Sequence, residues 1–181
     1  MNDMHDADPV AILKEIEESC RSCAVELPGK TRTENEWSGI CFRIDGNDLV
    51  TPLAEVVEIL DIPELNVVPL TQPWVRGLAN LRGKLLPVID LNGYLNGTLA
   101  RLTGKSRVLV IDCNDVYSGL VVEEVLGLRH FREEELTADD TCVDSYLQPY
   151  CHQAYRRGEQ VWAIFSMFAL ADNPQFLQVA V

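Results

Sequence analysis

The sequence has few basic residues for its length, and this scarcity argues against whole classes of partner. It contains 15 Lys and Arg against 28 Asp and Glu, which gives a formal net charge of −13 at neutral pH. A surface of this charge repels phosphate backbones and anionic lipid headgroups. Nucleic acid and membrane surfaces are therefore not expected as partners, whereas a basic patch on another protein is compatible with the charge.

Long apolar runs are also lacking, although 47 % of the 181 residues are hydrophobic. No run approaches the ~20 residues that a membrane-spanning helix needs. The N-terminus is acidic and lacks the positive start of a signal peptide. The sequence therefore predicts one or two compact cores, no direct membrane insertion and a cytoplasmic location.

Catalytic and nucleotide-binding motifs are missing as well. Neither a Gly-x-Ser-x-Gly elbow nor a His-Glu-x-x-His helix is present. Gly104-Lys105-Ser106 resembles the end of a phosphate-binding loop, but Leu99 stands where that motif has its first glycine, and a strand-like run follows instead of a helix. The sequence predicts that the protein is not an enzyme. A nucleotide-binding protein is the alternative, and these three residues alone favour it.

Six cysteines, at positions 20, 23, 41, 113, 142 and 151, raise the question of a metal or redox site. In a cytoplasmic protein they are expected to be reduced. Cys20 and Cys23 have the spacing of a zinc or redox motif, and Cys151-His152 would complete four ligands. No second paired spacing exists, however, and Cys20 and Cys23 fall on the apolar stripe of a predicted helix. The sequence therefore predicts no metal site and no cofactor.

Residues 1–35 are predicted to form a helical extension with a polar linker, and residues 36–181 a separate domain. Asp8-Pro9 is a typical helix start, and Pro28-Gly29 a typical helix end. Between them an apolar stripe recurs at alternating spacings of three and four, at Leu13, Ile16, Cys20, Cys23 and Leu27. We interpret this stripe as docking on the chain's own domain, with a contact to another protein as the alternative.

From Trp37 onward the apolar residues alternate, which is typical of β-strands joined by tight turns. Many short strands with turn signals between them indicate an all-β barrel or sandwich, and the pattern alone does not separate two barrels from one sandwich. The predicted elements are strands at 40–44, 49–51, 55–60, 77–82, 84–89, 107–112, 116–125, 128–131, 146–155 and 160–165, helical turns at 90–95 and 166–171, and an acidic solvated loop at 133–144.

The stretch from Trp74 to Leu95 carries the most informative pattern. Two apolar runs flank Arg82-Gly83-Lys84, and Gly83 can take the positive φ of a tight turn, which predicts neighbouring strands at Gly77–Arg82 and Lys84–Ile89. An Asn and an Arg on an otherwise apolar strand are costly to bury alone. We therefore expect Asn80 and Arg82 to reach a surface or a partner.

This stretch is similar to the signature of CheW-like chemotaxis adaptor domains. In that family an Asn-x-Arg-Gly turn precedes an apolar-Pro-apolar-apolar-Asp-Leu strand, here Asn80-Leu81-Arg82-Gly83 and Leu86-Pro87-Val88-Ile89-Asp90-Leu91. The resemblance covers roughly Trp37 to the C-terminus. The chain length, the N-terminal extension, Trp37-Ser38-Gly39 and the closing run 176–181 are most similar to family members from type IV pilus twitching-motility systems.

The resemblance implies a mostly β fold, with two small intertwined five-stranded β-barrels, an N-terminal helix and short connecting helices. It also implies a non-enzymatic adaptor that couples a methyl-accepting chemoreceptor to a CheA-like histidine kinase. The implied partners are the cytoplasmic tip of the receptor, which is a long helical hairpin, and the regulatory domain of the kinase. No motif marks the kinase contact. A helix- or peptide-binding scaffold without a kinase partner is the alternative.

The resemblance further implies a receptor-binding surface formed by Val56, Glu58, Gly77, Asn80 and Arg82. Val56 and Leu60 would offer an apolar strip to a receptor helix, and Arg82 would bind a receptor carboxylate. From the residue types alone an internal role is the competing interpretation, in which Glu58 pairs with Arg82 or Arg82 caps backbone carbonyls. The two interpretations are compatible, because an internal pair can open onto a partner.

Overall fold

The structure, a computed structural model, describes residues 36–138 and 143–180 together with Val10 and Lys14. The chain divides into two units, Met1–Glu34 and Asn35–Val181. Cys20, Cys23, Cys142 and the stripe of the predicted N-terminal helix lie outside the described residues, so the helical extension stays a prediction. No helix among the described residues is both long and apolar enough to span a lipid bilayer.

Strands make up about half of the second unit, and we number them in chain order. They are β1 (Glu36–Ile44), β2 (Asn47–Pro52), β3 (Glu58–Asp61), β4 (Val75–Leu81), β5 (Lys84–Asp90), β6 (Arg107–Cys113), β7 (Val116–Val122), β8 (Glu124–Arg132), β9 (Leu136–Thr137), β10 (Cys151–Arg157) and β11 (Gln160–Phe165). The short helices are α1 (Leu91–Asn96), α2 (Met167–Ala171) and α3 (Pro174–Leu177), and single 3-10 turns lie at Leu53–Glu55 and Glu133–Glu135.

The strands form two curled sheets that are intertwined along the chain. One has six strands in the order β8-β1-β2-β11-β10-β9, and the other has five in the order β3-β6-β7-β5-β4. The five-stranded sheet is therefore inserted, as one continuous piece of chain, between β2 and β8 of the six-stranded sheet. The mostly β fold with two barrel-like sheets is confirmed. The sixth strand of the larger sheet is the two-residue β9, which the expectation of five strands did not include.

Alternating side chains place an apolar cluster on each face of both sheets. Phe42 on β1 and Leu109 on β6 belong to the largest cluster, which lies between the two sheets. Their chain neighbours Cys41 and Val108 point the other way, into a smaller cluster enclosed by each sheet. The two sheets thus share one core while each keeps a core of its own, which fixes the two barrels as one body.

Three tight hairpin turns are confirmed, and their backbone explains the turn residues. Asp45-Gly46, Arg82-Gly83 and Asn114-Asp115 all have positive φ at both central positions. Two-residue turns of this kind match the twist of the flanking strands. Arg82 therefore belongs to the turn itself, at φ 51°, and the prediction that it ends the preceding strand is wrong by this residue.

Other boundaries differ from the predicted ones because distant contacts decide them. Glu55 lies in a 3-10 turn instead of β3, since its carboxylate accepts the backbone N–H of Met167 at 2.7 Å. The strand predicted from Tyr146 begins only at Cys151, because residues 144–150 turn so that Leu147 and Tyr150 reach the core. The predicted strand 116–125 ends at Val122, where the chain passes to the other sheet.

The acidic segment after β8 is largely exposed, as predicted, but residues 133–137 form a 3-10 turn and β9 instead of a loop, and an ion pair holds them. Arg157 at the end of β10 donates from Nε and Nη2 to the two carboxylate oxygens of Glu135, at 2.7 and 2.8 Å. Its Nη2 also donates to the carbonyl of His130 on the edge strand β8 at 3.0 Å. Arg157 thereby links the edge strand β8 to the segment that leads into β9, the other edge strand of the six-stranded sheet. Hydrogen bonds from the Arg157 guanidinium and the Arg132 N–H lower the pKa of Glu135 to about 2.

The Glu135 pair predicts a defined pH dependence of stability. Because the folded-state pKa lies below the ordinary 4.5, the pair stabilises the protein above that value and loses its effect as the pH falls toward 2. We expect Glu135→Gln to lower the free energy of unfolding near pH 7, with a deficit that shrinks near pH 3. Urea unfolding at both pH values measures it, with exposed Glu134→Gln as the matched control. A deficit that stays constant or grows on acidification contradicts the assignment.

Candidate partner-binding surface at the seam of the five-stranded sheet

The predicted pair of Glu58 and Arg82 is present, and it lies where the two edges of the five-stranded sheet approach. Glu58 is on the edge strand β3, and Arg82 is in the turn that connects the opposite edge strand β4 to β5. Arg82 Nη2 donates to Glu58 Oε1 at 2.7 Å. The Arg82 side chain is nevertheless 77 % exposed, against 25 % for Glu58. The internal pairing and an outward-facing arginine therefore coexist.

The Arg82 guanidinium has unused capacity for hydrogen bonds. A guanidinium carries five N–H donors, and within the described residues Arg82 uses one of them. Arg157, by comparison, holds both oxygens of its glutamate and a backbone carbonyl. Arg82 is thus oriented by Glu58 while most of its donors face solvent, which leaves it able to bind a second carboxylate.

Asn80 holds the turn that presents Arg82. Its side-chain oxygen accepts the backbone N–H of Gly83 at 2.8 Å, across the turn. A non-glycine residue with positive φ costs roughly 1–2 kcal/mol, and this hydrogen bond helps to hold Arg82 in that conformation. Asn80 is itself exposed. It therefore combines a positioning role with an accessible amide.

Gly77 is buried and permits a close backbone approach on the outer edge of β4. Its φ is +139°, and a Cβ atom there would lie 2.5 Å from the carbonyl oxygen of Asn66. Asn66 and Leu78 exchange two backbone hydrogen bonds of 2.9 Å each, so the loop after β3 covers this edge. Gly77 therefore supports the surface from below by allowing the backbone of Asn66 to pack against β4. The sequence pattern did not identify Asn66 as this neighbour.

The prediction that Val56 and Leu60 offer apolar area to a partner is wrong, because both side chains face cores. Val56 is 9 % exposed and belongs to the cluster between the sheets. Leu60 pairs with Val108 and packs against the cluster inside the five-stranded sheet. The 3-10 turn ahead of β3 sets this orientation, and sequence alternation alone did not reveal it.

Other apolar side chains are exposed beside this seam, and sequence reasoning missed them. Glu55 holds the start of α2 through the N–H of Met167, which brings α2 to the turn that precedes β3. Burial raises the pKa of the Glu55 carboxyl, against hydrogen bonds that lower it. The exposed side chains, named the apolar strip below, are Leu53 (47 %), Val57 (63 %), Ile59 (40 %) and Phe168 (45 %).

The described residues bear on the metal, thiol and phosphate-loop chemistry considered from the sequence. No group of three or more His, Cys, Asp or Glu among them could hold a metal ion. Cys41 and Cys113 are buried free thiols, Cys151 is buried as well, and burial raises the pKa of Cys41 to about 11. Lys105 is followed by strand β6, so the phosphate-loop resemblance lacks its helix N-terminus.

Comparison with known proteins agrees with this fold. Residues 38–175 match the family model described as CheW-like domain. The chain belongs to the CheW-like domain family. It is 41 % identical over 173 residues to Protein PilI of Pseudomonas aeruginosa, covering 96 % of this chain and 97 % of that relative. It is 30 % identical over 134 residues to Chemotaxis protein CheW of Bacillus subtilis, covering 74 % of this chain and 86 % of that protein.

A solved structure supports the CheW-like fold independently of close sequence identity. The crystal structure of scaffolding protein TtCheW from Thermoanaerobacter tengcongensis superposes with a TM-score of 0.66 at 19 % identity. The match covers 77 % of this chain and 94 % of that one. At this identity the likeness bears on the fold alone, and it confirms the CheW-like architecture expected from the sequence signature.

Gly77 supplies a test of how this surface is built. Gly77→Ala is expected to lower the free energy of unfolding by roughly 1–3 kcal/mol, because the new Cβ meets the Asn66 carbonyl and the positive φ is strained. Gly104→Ala is the matched control, since a Cβ there meets nothing within 4 Å. Equal urea midpoints for the two variants would contradict the close approach of Asn66.

Proposed function

We propose that this protein is a non-enzymatic cytoplasmic adaptor that couples a methyl-accepting chemoreceptor to a CheA-like histidine kinase. We further propose that the pathway it serves drives type IV pilus twitching motility. Membership of the CheW-like family and 41 % identity to PilI along 96 % of the chain support this proposal. The observation that carries it is Arg82, a guanidinium oriented by Glu58 but 77 % exposed.

The receptor contact is proposed to combine the apolar strip with Arg82. A receptor's helical hairpin presents apolar side chains at helical spacing, and Val57 and Ile59 offer exposed apolar area to them. Arg82 would bind a receptor carboxylate with its free donors while Glu58 keeps it in place. Asn80 holds the turn, and Gly77 with Val56 supports the surface from the protein side.

The kinase contact is proposed to lie on a second surface, for which we assign no residues. An adaptor that holds two partners on one body raises the effective concentration of one partner beside the other. The shared core between the two sheets suits this mechanism, because it keeps the two surfaces at a fixed separation.

Reversing the charge of Arg82 distinguishes a receptor contact from a purely internal ion pair with Glu58. Arg82→Glu is expected to weaken binding of a soluble receptor-tip fragment about tenfold or more, measured by calorimetry, because a partner carboxylate would meet like charge. The free energy of unfolding should change little, since exposed ion pairs contribute about 1 kcal/mol or less. Arg132→Glu, another exposed arginine, is the control and should bind normally.

The double variant Glu58→Arg with Arg82→Glu provides the decisive comparison. It restores an ion pair of reversed direction but leaves a glutamate where the receptor is proposed to meet an arginine. We expect binding to stay weak in the double variant. Full recovery of binding would show that the pair is structural and would remove Arg82 from the receptor contact.

The assignment of the apolar strip has its own test, in which neighbouring valines should behave oppositely. Val57→Ser is expected to weaken receptor binding with little loss of stability, because this side chain is 63 % exposed. Val56→Ser should lower the free energy of unfolding by roughly 1–3 kcal/mol, because it places a hydroxyl in the core. Calorimetry and urea unfolding measure the two effects. The reverse pattern would restore Val56 as the contact residue.

A further inference from the structure

The loop between β3 and β4, residues 62–74, covers the outer edge of β4 although it buries little of its own apolar surface. Val67 is 84 % exposed and Leu70 is 83 % exposed. Leu70 also has a φ of 59°, a left-handed conformation that a bulky L residue rarely adopts. Such a conformation persists only where the surrounding structure over-determines it. The shape of this loop therefore depends on contacts on both sides of Leu70.

Strand β4 supplies the contact on the N-terminal side of Leu70. Asn66 and Leu78 exchange two backbone hydrogen bonds of 2.9 Å each. Gly77, beside Leu78, lets the Asn66 carbonyl approach because glycine has no Cβ. The same strand continues through Asn80 into the turn that carries Arg82. The loop is therefore coupled to the strand that presents the proposed receptor-binding arginine.

The segment Gln178–Ala180 supplies the contact on the C-terminal side. The Val179 carbonyl accepts the backbone N–H of Gln72 at 2.9 Å, and Ala180 forms an isolated β-bridge with Thr71. The Ala180 carbonyl also accepts a hydrogen bond from Gln72 Nε2 at 3.4 Å. Both of these acceptors are main-chain carbonyls, so the two bonds do not depend on which side chains stand at 179 and 180.

The chain just before this segment is anchored in the core. Phe176 in α3 is 1 % exposed. Its ring stacks on that of Trp74, with the centroids 6.3 Å apart and the planes 7° apart. Trp74 ends the loop, and its carbonyl accepts the N–H of Asp90 at 2.8 Å. Phe176 thus fixes the end of the loop, and residues 178–180 act on the part that contains Leu70.

We propose that Gln178–Ala180 is a positioning segment for the receptor-binding surface. Its backbone holds the strained loop against β4, and the loop in turn supports Gly77 and the strand that leads to Arg82. The inference rests on the proposed receptor contact, because it gives this segment a part in forming that contact. A surface that is already ordered loses less conformational entropy when a partner binds, so loosening the loop should weaken receptor binding.

Deletion of residues 178–181 tests the proposal, and it leaves Phe176 in place. Amide hydrogen exchange, followed by NMR, reports local opening of the loop. The Asn66 and Leu78 amides should exchange roughly tenfold faster in the deletion variant, while those of Leu109 and Leu120 in the β6–β7 pair keep their rates. The affinity for a receptor-tip fragment, measured by calorimetry, should fall roughly threefold or more, because binding must first reorder the loop.

Two further variants separate the backbone contact from side-chain effects and from strain. Gln178→Ala combined with Val179→Ala keeps both main-chain acceptors and should match the natural chain in exchange and in affinity. Leu70→Asn, introduced into the deletion variant, should recover most of the lost protection at Asn66, because asparagine tolerates positive φ better than leucine.

Several results would overturn the proposal. Unchanged exchange at Asn66 and Leu78 would show that the segment does not hold the loop, and equally faster exchange at Leu109 would report a general loss of stability. Unchanged receptor affinity despite a loosened loop would remove the positioning role, and no recovery with Leu70→Asn would remove strain as its cause. Failure of the natural chain to bind the receptor fragment would count against the proposed function, and the exchange rates would still decide whether the segment holds the loop.

Discussion

An unpaired edge strand offers free N–H and C=O groups to other chains, so a curled sheet has to close or cover its edges. In both sheets of this protein, an arginine–glutamate pair helps to close the seam where the two sheet edges approach. Arg157 binds both oxygens of Glu135 and a carbonyl of the edge strand. Arg82 makes one bond to Glu58 and stays exposed. The Arg157–Glu135 pair completes one barrel. The Arg82–Glu58 pair completes the other and leaves N–H donors of the Arg82 guanidinium unused.

That difference places the candidate surface on the five-stranded sheet. The tight turn and the Asn80 side chain hold Arg82 outward, and the loop through Asn66 covers the neighbouring strand edge. The apolar strip brings together the turn before β3, β3 itself and the start of α2, through the partly buried hydrogen bond from Met167 to Glu55. Backbone closure and the proposed partner-binding surface therefore depend on the same few interactions.

Features of the fold that depend on local chemistry were predictable from the sequence. Gly83 marked its hairpin turn, and the helical turn predicted at 166–171 is α2, which the Ser166 hydroxyl caps by accepting the N–H of Ala169. The family signature identified the residues Glu58 and Arg82, and the structure brings them within 2.7 Å. Periodicity also indicated the strands, although their ends were displaced where the chain changes sheets.

Features that depend on distant partners were not predictable. Val56 and Val57 cannot be told apart by alternation, because Glu55 is drawn into a turn by an N–H that lies more than a hundred residues later. Phe168 belongs to the exposed strip for the same reason. The acidic run after β8 was predicted as a loop because the sequence does not show that Arg157 reaches Glu135. In each case one long-range hydrogen bond decides the local structure.

The proposed adaptor function requires that one rigid body holds two partners at separate surfaces. Sedimentation velocity on a mixture of the full chain, a receptor-tip fragment and the kinase's C-terminal domain tests it most directly. The account predicts a single boundary whose mass contains all three components, since neither partner blocks the other. Competition between the receptor fragment and the kinase domain, which leaves only binary complexes with this chain, would contradict it.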